Sequence, residues 1–209
     1  MRYDWALRAS AELAKRDGAY PMYKEDCVLK SDFLNANADD TTIQMIKLHG
    51  LRNSQLLTIP PCGSIATMIG VSSGIEPIYA NYYTRKTESL NAGETLYKVY
   101  TPIVKEYMRE HNLTDDSQLP AYFVASHNIS PESRIEMQSV WQKHIDASIS
   151  STVNLPSEAT VEDVEKVYQL AWEKGLKGIT VFRDGCRRAG ILTTTEQSDK
   201  KEESSRKFD

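Results

Sequence analysis

A helix followed at once by a short strand, late in the chain, is the feature that most constrains the fold. Apolar residues repeat at three- and four-residue spacing from Val161, with Thr160 as a suitable N-cap and Gly175 as a suitable end. The stretch 178–182 then has strand composition, and residues 183–185 carry a turn signal. A helix that feeds a short buried strand predicts an α/β layer, such as part of a barrel wall.

Further elements follow from apolar periodicity and from residues that break helices. They are a helix that ends near Asp17, a helix that begins after Asp39-Asp40 and stops at Gly50, a strand at 55–59, a brief helix after Cys62, a helix over 96–108 with a kink or local interruption at Pro102, and a helix that starts at Pro131. The predicted strand is closed by Pro60-Pro61, which have no backbone N–H to donate to a ladder. We therefore predict an α/β fold class.

The charge balance limits the choice of partners. A formal net charge of -4 and a pI near 5.7 argue against a basic surface that wraps nucleic acid. No apolar run approaches the roughly 18 residues that span a bilayer, and the first residues lack the apolar core of a signal peptide. We expect a cytoplasmic protein that binds small molecules or protein, with no nucleic acid and no membrane among its partners.

The cysteines and histidines give no sign of a metal site. Cys27, Cys62 and Cys186 are odd in number and form no CxxC pair, so they suggest neither a disulfide framework nor a zinc site. The histidines lie at positions 49, 111, 127 and 144. None of them forms the i, i+4 pair that is typical of a metal site on a helix. No metal is predicted.

The segment after the proline pair is the most unusual in the chain. A predicted strand ends in Pro60-Pro61, and a small-residue turn at Cys62-Gly63-Ser64 leads directly into a helix. Such a turn presents unpaired backbone amides at a helix start, where the dipole favours an anion. It is neither a Walker loop nor a dinucleotide fingerprint, and a capped turn that binds nothing is the alternative. Arg183 and Arg187 are second candidates for anion binding, against the alternative of a solvated turn.

Four stretches of the chain resemble the large subunit of ribonucleotide reductase. They are GLRNSQLLTIPPCGSI (50–65), GVSSGIEP (70–77), ISSTVNLP (149–156) and GLKGITVFRDGCR (175–187). The last two are similar to barrel segments of the adenosylcobalamin-dependent class. That class also fits Val181-Phe182, where enzymes that import their radical from a second subunit have adjacent tyrosines. The resemblance covers residues 50 to 192.

The resemblance implies a role for the turn after the prolines. In this family a Pro-Thr-Gly-Thr or Pro-Thr-Gly-Ser turn binds the phosphates of the substrate. The implied phosphate-binding positions are Cys62, Gly63, Ser64, Ile65 and Ala66. Cys62 stands where the family usually has threonine, which removes one hydroxyl. It is either a small replacement for threonine or a reactive thiol at a helix start.

The resemblance also implies a fold and an activity. Residues 1–192 would be the C-terminal portion of a ten-stranded α/β barrel, and the polar stretch 193–209 a disordered tail or a severed linker. The complete enzyme would reduce ribonucleoside di- or triphosphates to deoxyribonucleotides with adenosylcobalamin and a dithiol reductant such as thioredoxin.

No cysteine of this chain fits the Asn-x-Cys-x-Glu arrangement that the reaction requires in this family. We therefore assign no catalytic residue and expect the reducing cysteines in a missing N-terminal portion of the reductase or in a separate chain. Alternatives are a non-catalytic nucleotide-binding module and an inactive truncated fragment.

Overall fold

The computed structural model describes residues 2–89 and 93–186, and these residues form two units. The first unit contains residues 2–61, 131–153 and 160–181. The second unit contains the described residues of 62–130, 154–159 and 182–186. The predicted tail at 193–209 and Arg187 lie outside the described residues.

The described chain contains eight α-helices, four strands and two short 3-10 turns. In chain order they are α1 (Arg2–Asp17), α2 (Glu25–Leu29), α3 (Asp32–Asn37), α4 (Asp40–His49), α5 (Gly63–Ile69), β1 (Tyr82–Ser89), β2 (Gly93–Tyr100), α6 (Pro102–Glu110), the 3-10 turns Asp116–Gln118 and Ser126–Asn128, α7 (Pro131–Gln142), β3 (Thr152–Leu155), α8 (Val161–Glu173) and β4 (Thr180–Arg183). None of the described helices is long and apolar enough to span a bilayer.

The packing of α1 against α4 forms the apolar core of the first unit. Both of these helices were predicted from the sequence. The buried residues of this core are Tyr3, Leu7, Ala11, Leu34, Ile46 and Leu51. The carboxylate of Asp39 accepts the Thr42 N–H at 2.8 Å and so caps α4. Gly50 ends α4 at a φ of 75°, and a Cβ there would lie 2.9 Å from the Cβ of Ala19. Only glycine fits that position.

The predicted strand at 55–59 is wrong as a strand, because it contributes only one parallel bridge, between Ile59 and Ile149. At the start of this segment, a side chain accepts the backbone N–H groups that a neighbouring strand would bind in a sheet. The carboxylate of Asp146 accepts the N–H of Leu56 at 2.8 Å and that of Leu57 at 2.7 Å. On the far side of the 149–151 segment, the Thr180 N–H donates to the Ser151 carbonyl at 3.0 Å.

Buried polar side chains on α7 bind the backbone that faces this helix. Gln138, which is fully buried, donates to the Gly178 carbonyl at 2.7 Å. Gln142 donates to the carbonyls of Ile145 and Ala147 at 2.7 and 3.0 Å. Within the described residues, the Oε1 atom of Gln138 is a buried acceptor without a hydrogen-bond partner.

The predicted helix over 96–108 is wrong in its first half. Residues up to Tyr100 belong to an antiparallel hairpin in which Tyr82 pairs with Tyr100 and Ser89 with Gly93. The helix itself starts at Pro102, which is therefore its first residue and not a kink. Proline suits that position because its missing N–H would have no intrahelical acceptor. The helical spacing arose from apolar residues of two adjacent elements.

The late helix and strand are confirmed at nearly their predicted bounds. Thr160 and Asp163 form a capping box at the start of α8, with the Asp163 N–H donating to the Thr160 hydroxyl at 3.3 Å. β3 pairs with β4. The predicted α/β class is thus confirmed, and the two sheets of the described residues are two-stranded and form no closed barrel.

Candidate functional site

The turn at residues 62–66 is anchored by its first residue. Cys62 precedes α5 with φ -135° and ψ 38°. Its N–H donates to the Ser73 hydroxyl at 3.1 Å, and its Sγ atom lies 3.3 Å from the same oxygen. The N–H and the thiol of Cys62 therefore both face Ser73, which holds the start of α5 against the loop that follows the helix.

With respect to the described residues, three backbone amides of the turn remain available. The N–H groups of Gly63, Ser64 and Ile65 occupy the first turn of α5, where helix geometry offers them no intrahelical acceptor. The Ala66 N–H differs, because it donates to the Cys62 carbonyl at 2.8 Å. All three available amides belong to exposed residues, whereas Ala66 is buried. An anion approaching the turn would meet three donors and the positive end of a short helix dipole.

Open space lies in front of Gly63. A Cβ built at this glycine would meet no atom within 4 Å. Its φ does not lie in the left-handed region, so backbone strain does not require glycine here. The small residue leaves room for a ligand to approach the backbone.

The other end of α5 is tightly packed. Gly70 ends the helix at a φ of 75°, and a Cβ there would lie 3.1 Å from the ring of Pro102. The Val71 N–H donates to the Ala66 carbonyl at 3.0 Å. The helix is therefore fixed at its end while its start is exposed.

Arg183, one of the second candidates for anion binding, already has partners. Its Nε atom donates to the Ala159 carbonyl at 2.9 Å, and its Nη2 atom donates to the Ser157 carbonyl. The guanidinium thus holds the 157–159 loop against the end of β4. Arg187 lies outside the described residues.

A cluster of titratable side chains in the second unit was not predicted from the sequence. The Nδ1 atom of His127 lies 3.8 Å from the Asp184 carboxylate, and the His127 ring meets Tyr79 edge to face at 5.0 Å. Burial, and then the negative charge of Asp184, raises the pKa of Tyr79. The three residues are at least 48 positions apart in the sequence, so no local motif marks them.

The cysteines do not form a reducing pair in the described structure. Cys27 and Cys186 are exposed, Cys62 is half-buried, and all are free thiols. No group of three histidine, cysteine or acidic residues within 2–89 and 93–186 is arranged to hold a metal ion.

Comparison with known proteins identifies the family. The model of the ribonucleotide reductase barrel domain matches residues 1–182. The chain belongs to this family. The resemblance of the chain to ribonucleotide reductase is thereby confirmed.

Curated relatives of this reductase segment carry two kinds of name. A vitamin B12-dependent ribonucleoside-diphosphate reductase of Mycobacterium tuberculosis (strain CDC 1551 / Oshkosh) is 29% identical, over 90% of this chain and 27% of that protein. One of the same name from Thermoplasma acidophilum is 34% identical, over 73% of this chain and 22% of that protein. A ribonucleoside-diphosphate reductase subunit alpha of Chlamydia muridarum is 28% identical, over 93% of this chain and 21% of that protein. The chain spans about a quarter of the length of these relatives.

Proposed function

We propose that this chain is part of a ribonucleoside-diphosphate reductase and that its 62–66 turn binds the phosphates of the substrate. The observation that carries the proposal is the exposed start of α5, where Gly63, Ser64 and Ile65 offer free amides next to open space. Family membership supports the same assignment, because the turn lies within the matched residues 1–182.

The chain contributes binding and not the reduction itself. Amides that point at a phosphate hold a substrate in one position, which favours a reaction carried out by groups supplied elsewhere. In the complete enzyme a cysteine radical starts the reaction, two thiols are oxidised to a disulfide, and a ribose hydroxyl leaves as water. Those cysteines belong to the remainder of the reductase. A dithiol protein such as thioredoxin then reduces the disulfide, and the enzyme works in the cytoplasm.

Adenosylcobalamin is the proposed source of the radical, since the Mycobacterium and Thermoplasma relatives are named vitamin B12-dependent. The absence of a phenol at Val181-Phe182 supports the same class. We assign no residue of this chain to the cofactor.

A matched pair of glycines tests the phosphate site. A Cβ at Gly63 and a Cβ at Gly178 both meet no protein atom within 4 Å, so either Gly→Ala change leaves the packing intact. We expect Gly63→Ala to weaken cytidine diphosphate binding about tenfold, which corresponds to roughly 1.4 kcal/mol, because the new methyl group blocks the approach to the amides. Gly178→Ala should bind as the wild type does. Titration calorimetry on the 209-residue chain measures both.

Three results separate the alternatives. Equal binding by wild type and Gly63→Ala would remove the turn from the site. No binding at all would contradict the proposed function. Nucleotide binding combined with no deoxyribonucleotide, when the chain is mixed with the upstream part of a related reductase, adenosylcobalamin and a dithiol, would favour a non-catalytic nucleotide-binding module.

A further inference from the structure

Helix α7 has polar side chains inside the protein and apolar side chains outside. Its buried residues are Arg134, Ile135, Gln138, Ser139 and Gln142. Met137, Val140 and Trp141 of the same helix are 52%, 50% and 41% exposed. A surface helix of a globular protein normally shows the reverse arrangement, with its apolar side toward the core. The exposed side of α7 is therefore better suited to a protein neighbour than to water.

Hydrogen bonds determine which side of α7 is buried. The Nε2 atom of Gln138 donates to the Gly178 carbonyl at 2.7 Å, and the Nη2 atom of Arg134 donates to the Thr152 carbonyl at 3.1 Å. Turning the helix so that its apolar side faced inward would break these bonds and leave buried polar groups without partners. The apolar side of α7 therefore stays on the surface of the first unit.

The neighbouring helix α8 also exposes large apolar side chains. Trp172 is 80% exposed, and Tyr168, which lies four residues earlier on the same side of the helix, is 50% exposed. The buried side of α8 contains Val167 and Ala171. The helix therefore has an apolar side that packs within the protein and two aromatic rings that do not.

An ion pair joins the exposed sides of α7 and α8, which pack against each other in the first unit. The Nζ atom of Lys174 lies 2.6 Å from the Glu136 carboxylate. Glu136 directly precedes Met137, and Lys174 follows Trp172 by two positions. The exposed apolar side chains of the two helices therefore form one surface. This α7–α8 face consists of Met137, Val140, Trp141, Tyr168 and Trp172.

The area and the charge of the α7–α8 face indicate what kind of surface would cover it. An aromatic side chain buries about 150–250 Å² when it is fully covered, so three partly exposed rings with a methionine and a valine leave roughly 500 Å² of apolar surface. Apolar patches of this size on soluble proteins mark interaction sites. The charges beside the face, Glu136 and Lys174, neutralise each other. The complementary surface is therefore apolar and not charged.

We propose that the α7–α8 face docks an apolar surface of the part of the reductase that lies outside this chain. The chain spans about a quarter of the length of its curated relatives, so most of the protein that packs around such a segment in those relatives lies outside it. The proposal rests on the proposed function, because it takes the chain to work as part of a reductase. A second copy of this chain is the alternative occupant, and the experiment separates the two.

The experiment co-expresses the 209-residue chain with the part of the Thermoplasma acidophilum relative that the chain does not match, called here the unmatched part. We expect the two to purify as a complex, whose Kd is measured by sedimentation velocity over a concentration series. Trp172→Lys should weaken the complex about tenfold or more, because a charged side chain replaces a ring of the docking surface. Trp5→Lys is the matched control, since Trp5 on α1 is 64% exposed and its replacement should leave the Kd unchanged.

Oxidation by hydroxyl radicals, read by mass spectrometry, locates the partner on the chain. We expect the complex to oxidise more slowly than the free chain at Met137, Trp141 and Trp172. Met22 and Trp5 provide the matched comparison, because they are an exposed methionine and an exposed tryptophan of the same unit outside the face. Their oxidation should be equal in the complex and in the free chain.

Three results overturn the proposal. The first is a wild-type chain that forms no complex with the unmatched part. The second is a Trp172→Lys chain that binds it as tightly as wild type, with unchanged oxidation of the α7–α8 face. The third is a dimer of the wild-type chain that Trp172→Lys dissociates and that the unmatched part does not displace, which assigns the face to a second copy. Circular dichroism and the Tm establish that Trp172→Lys is folded; if it unfolds, Tyr168→Lys provides the same comparison.

Titration of the chain with cytidine diphosphate distinguishes this proposal from the proposed function. Trp172 belongs to the first unit and the 62–66 turn to the second, so Trp172→Lys should bind the nucleotide as wild type does. A complex that forms through the α7–α8 face, from a chain that binds no nucleotide, contradicts the phosphate turn and supports the docking face. Nucleotide binding that Gly63→Ala weakens, from a chain that forms no complex, supports the turn and overturns the docking face.

Discussion

The backbone N–H groups before Pro60 and those after Pro61 differ in whether the protein itself provides their acceptors. Before the prolines, the N–H groups of Leu56 and Leu57 are both bound by Asp146. After them, the N–H groups of Gly63, Ser64 and Ile65 have no intrahelical acceptor. The first segment uses its amides for stability, and the second leaves them available to a ligand.

Because of this difference, variants of the first segment should change the free energy of unfolding, and variants of the second should change the affinity for a ligand. An amide bound by a carboxylate inside the protein contributes to folding, and its loss lowers the free energy of unfolding. An amide open to water is already hydrogen-bonded to solvent, so exchanging water for a phosphate changes affinity and leaves stability nearly untouched.

The largest effect is expected at Asp146. Asp146→Ala removes the acceptor of two backbone donors, and we expect the free energy of unfolding to fall by about 3 kcal/mol. Asp26→Ala, which changes an exposed aspartate on α2, is the control and should stay within about 0.5 kcal/mol of wild type. Urea unfolding followed by circular dichroism measures both. The comparison fails if Gly63→Ala destabilises the chain as much as Asp146→Ala does.

A medium effect is expected at the start of α8. Thr160→Ala removes the hydroxyl that accepts the Asp163 N–H, and loss of such a cap lowers the free energy of unfolding by about 1 kcal/mol. Thr160→Ser retains the hydroxyl and should recover most of the loss. A Thr160→Ser variant as unstable as Thr160→Ala would mean that the methyl group, and not the cap, stabilises this helix.

The smallest effect is expected in the pH dependence of the stability that the same cap contributes. The hydrogen bond from the Thr160 N–H, more than any other contact, lowers the pKa of the exposed Asp163 carboxyl below its ordinary value of 3.8. Because the folded pKa is the lower one, the carboxylate stabilises the fold above the unfolded pKa, and this contribution is lost as pH falls through the folded pKa. The stability advantage of wild type over Asp163→Asn should therefore shrink below about pH 4. Unfolding curves at pH 7 and pH 3 test this, and a constant difference would contradict it.

The elements that the sequence predicts well are those with strong local signals. Thr160 and Gly175 mark the ends of α8 by capping chemistry, and Gly50 ends α4 in a conformation that suits glycine. The hairpin of β1 and β2 was missed because its pairing joins residues such as Tyr82 and Tyr100, which local periodicity does not relate. The segment at 55–59 has strand composition, yet Asp146 supplies a partner that no local pattern reveals.

The candidate site likewise has residues that the local sequence predicts and residues that only the fold brings together. Pro61, Cys62 and Gly63 are consecutive, so their resemblance to a phosphate-binding turn is visible in the sequence. His127 and Asp184 are 57 positions apart and meet only through the fold. Arg183 looked available in the sequence, but the carbonyls that bind it belong to residues more than twenty positions away.

The hydrogen bonds between Asp146 and the segment at Leu56 have a consequence for synthesis on the ribosome. The donors and the acceptor are 90 and 89 residues apart. At translation rates of about 5–20 residues per second, the leucines wait roughly 5–18 s before their partner is made. During that interval the two leucines lack the carboxylate that binds their amides. This part of the fold is therefore completed only after Asp146 has been added to the chain.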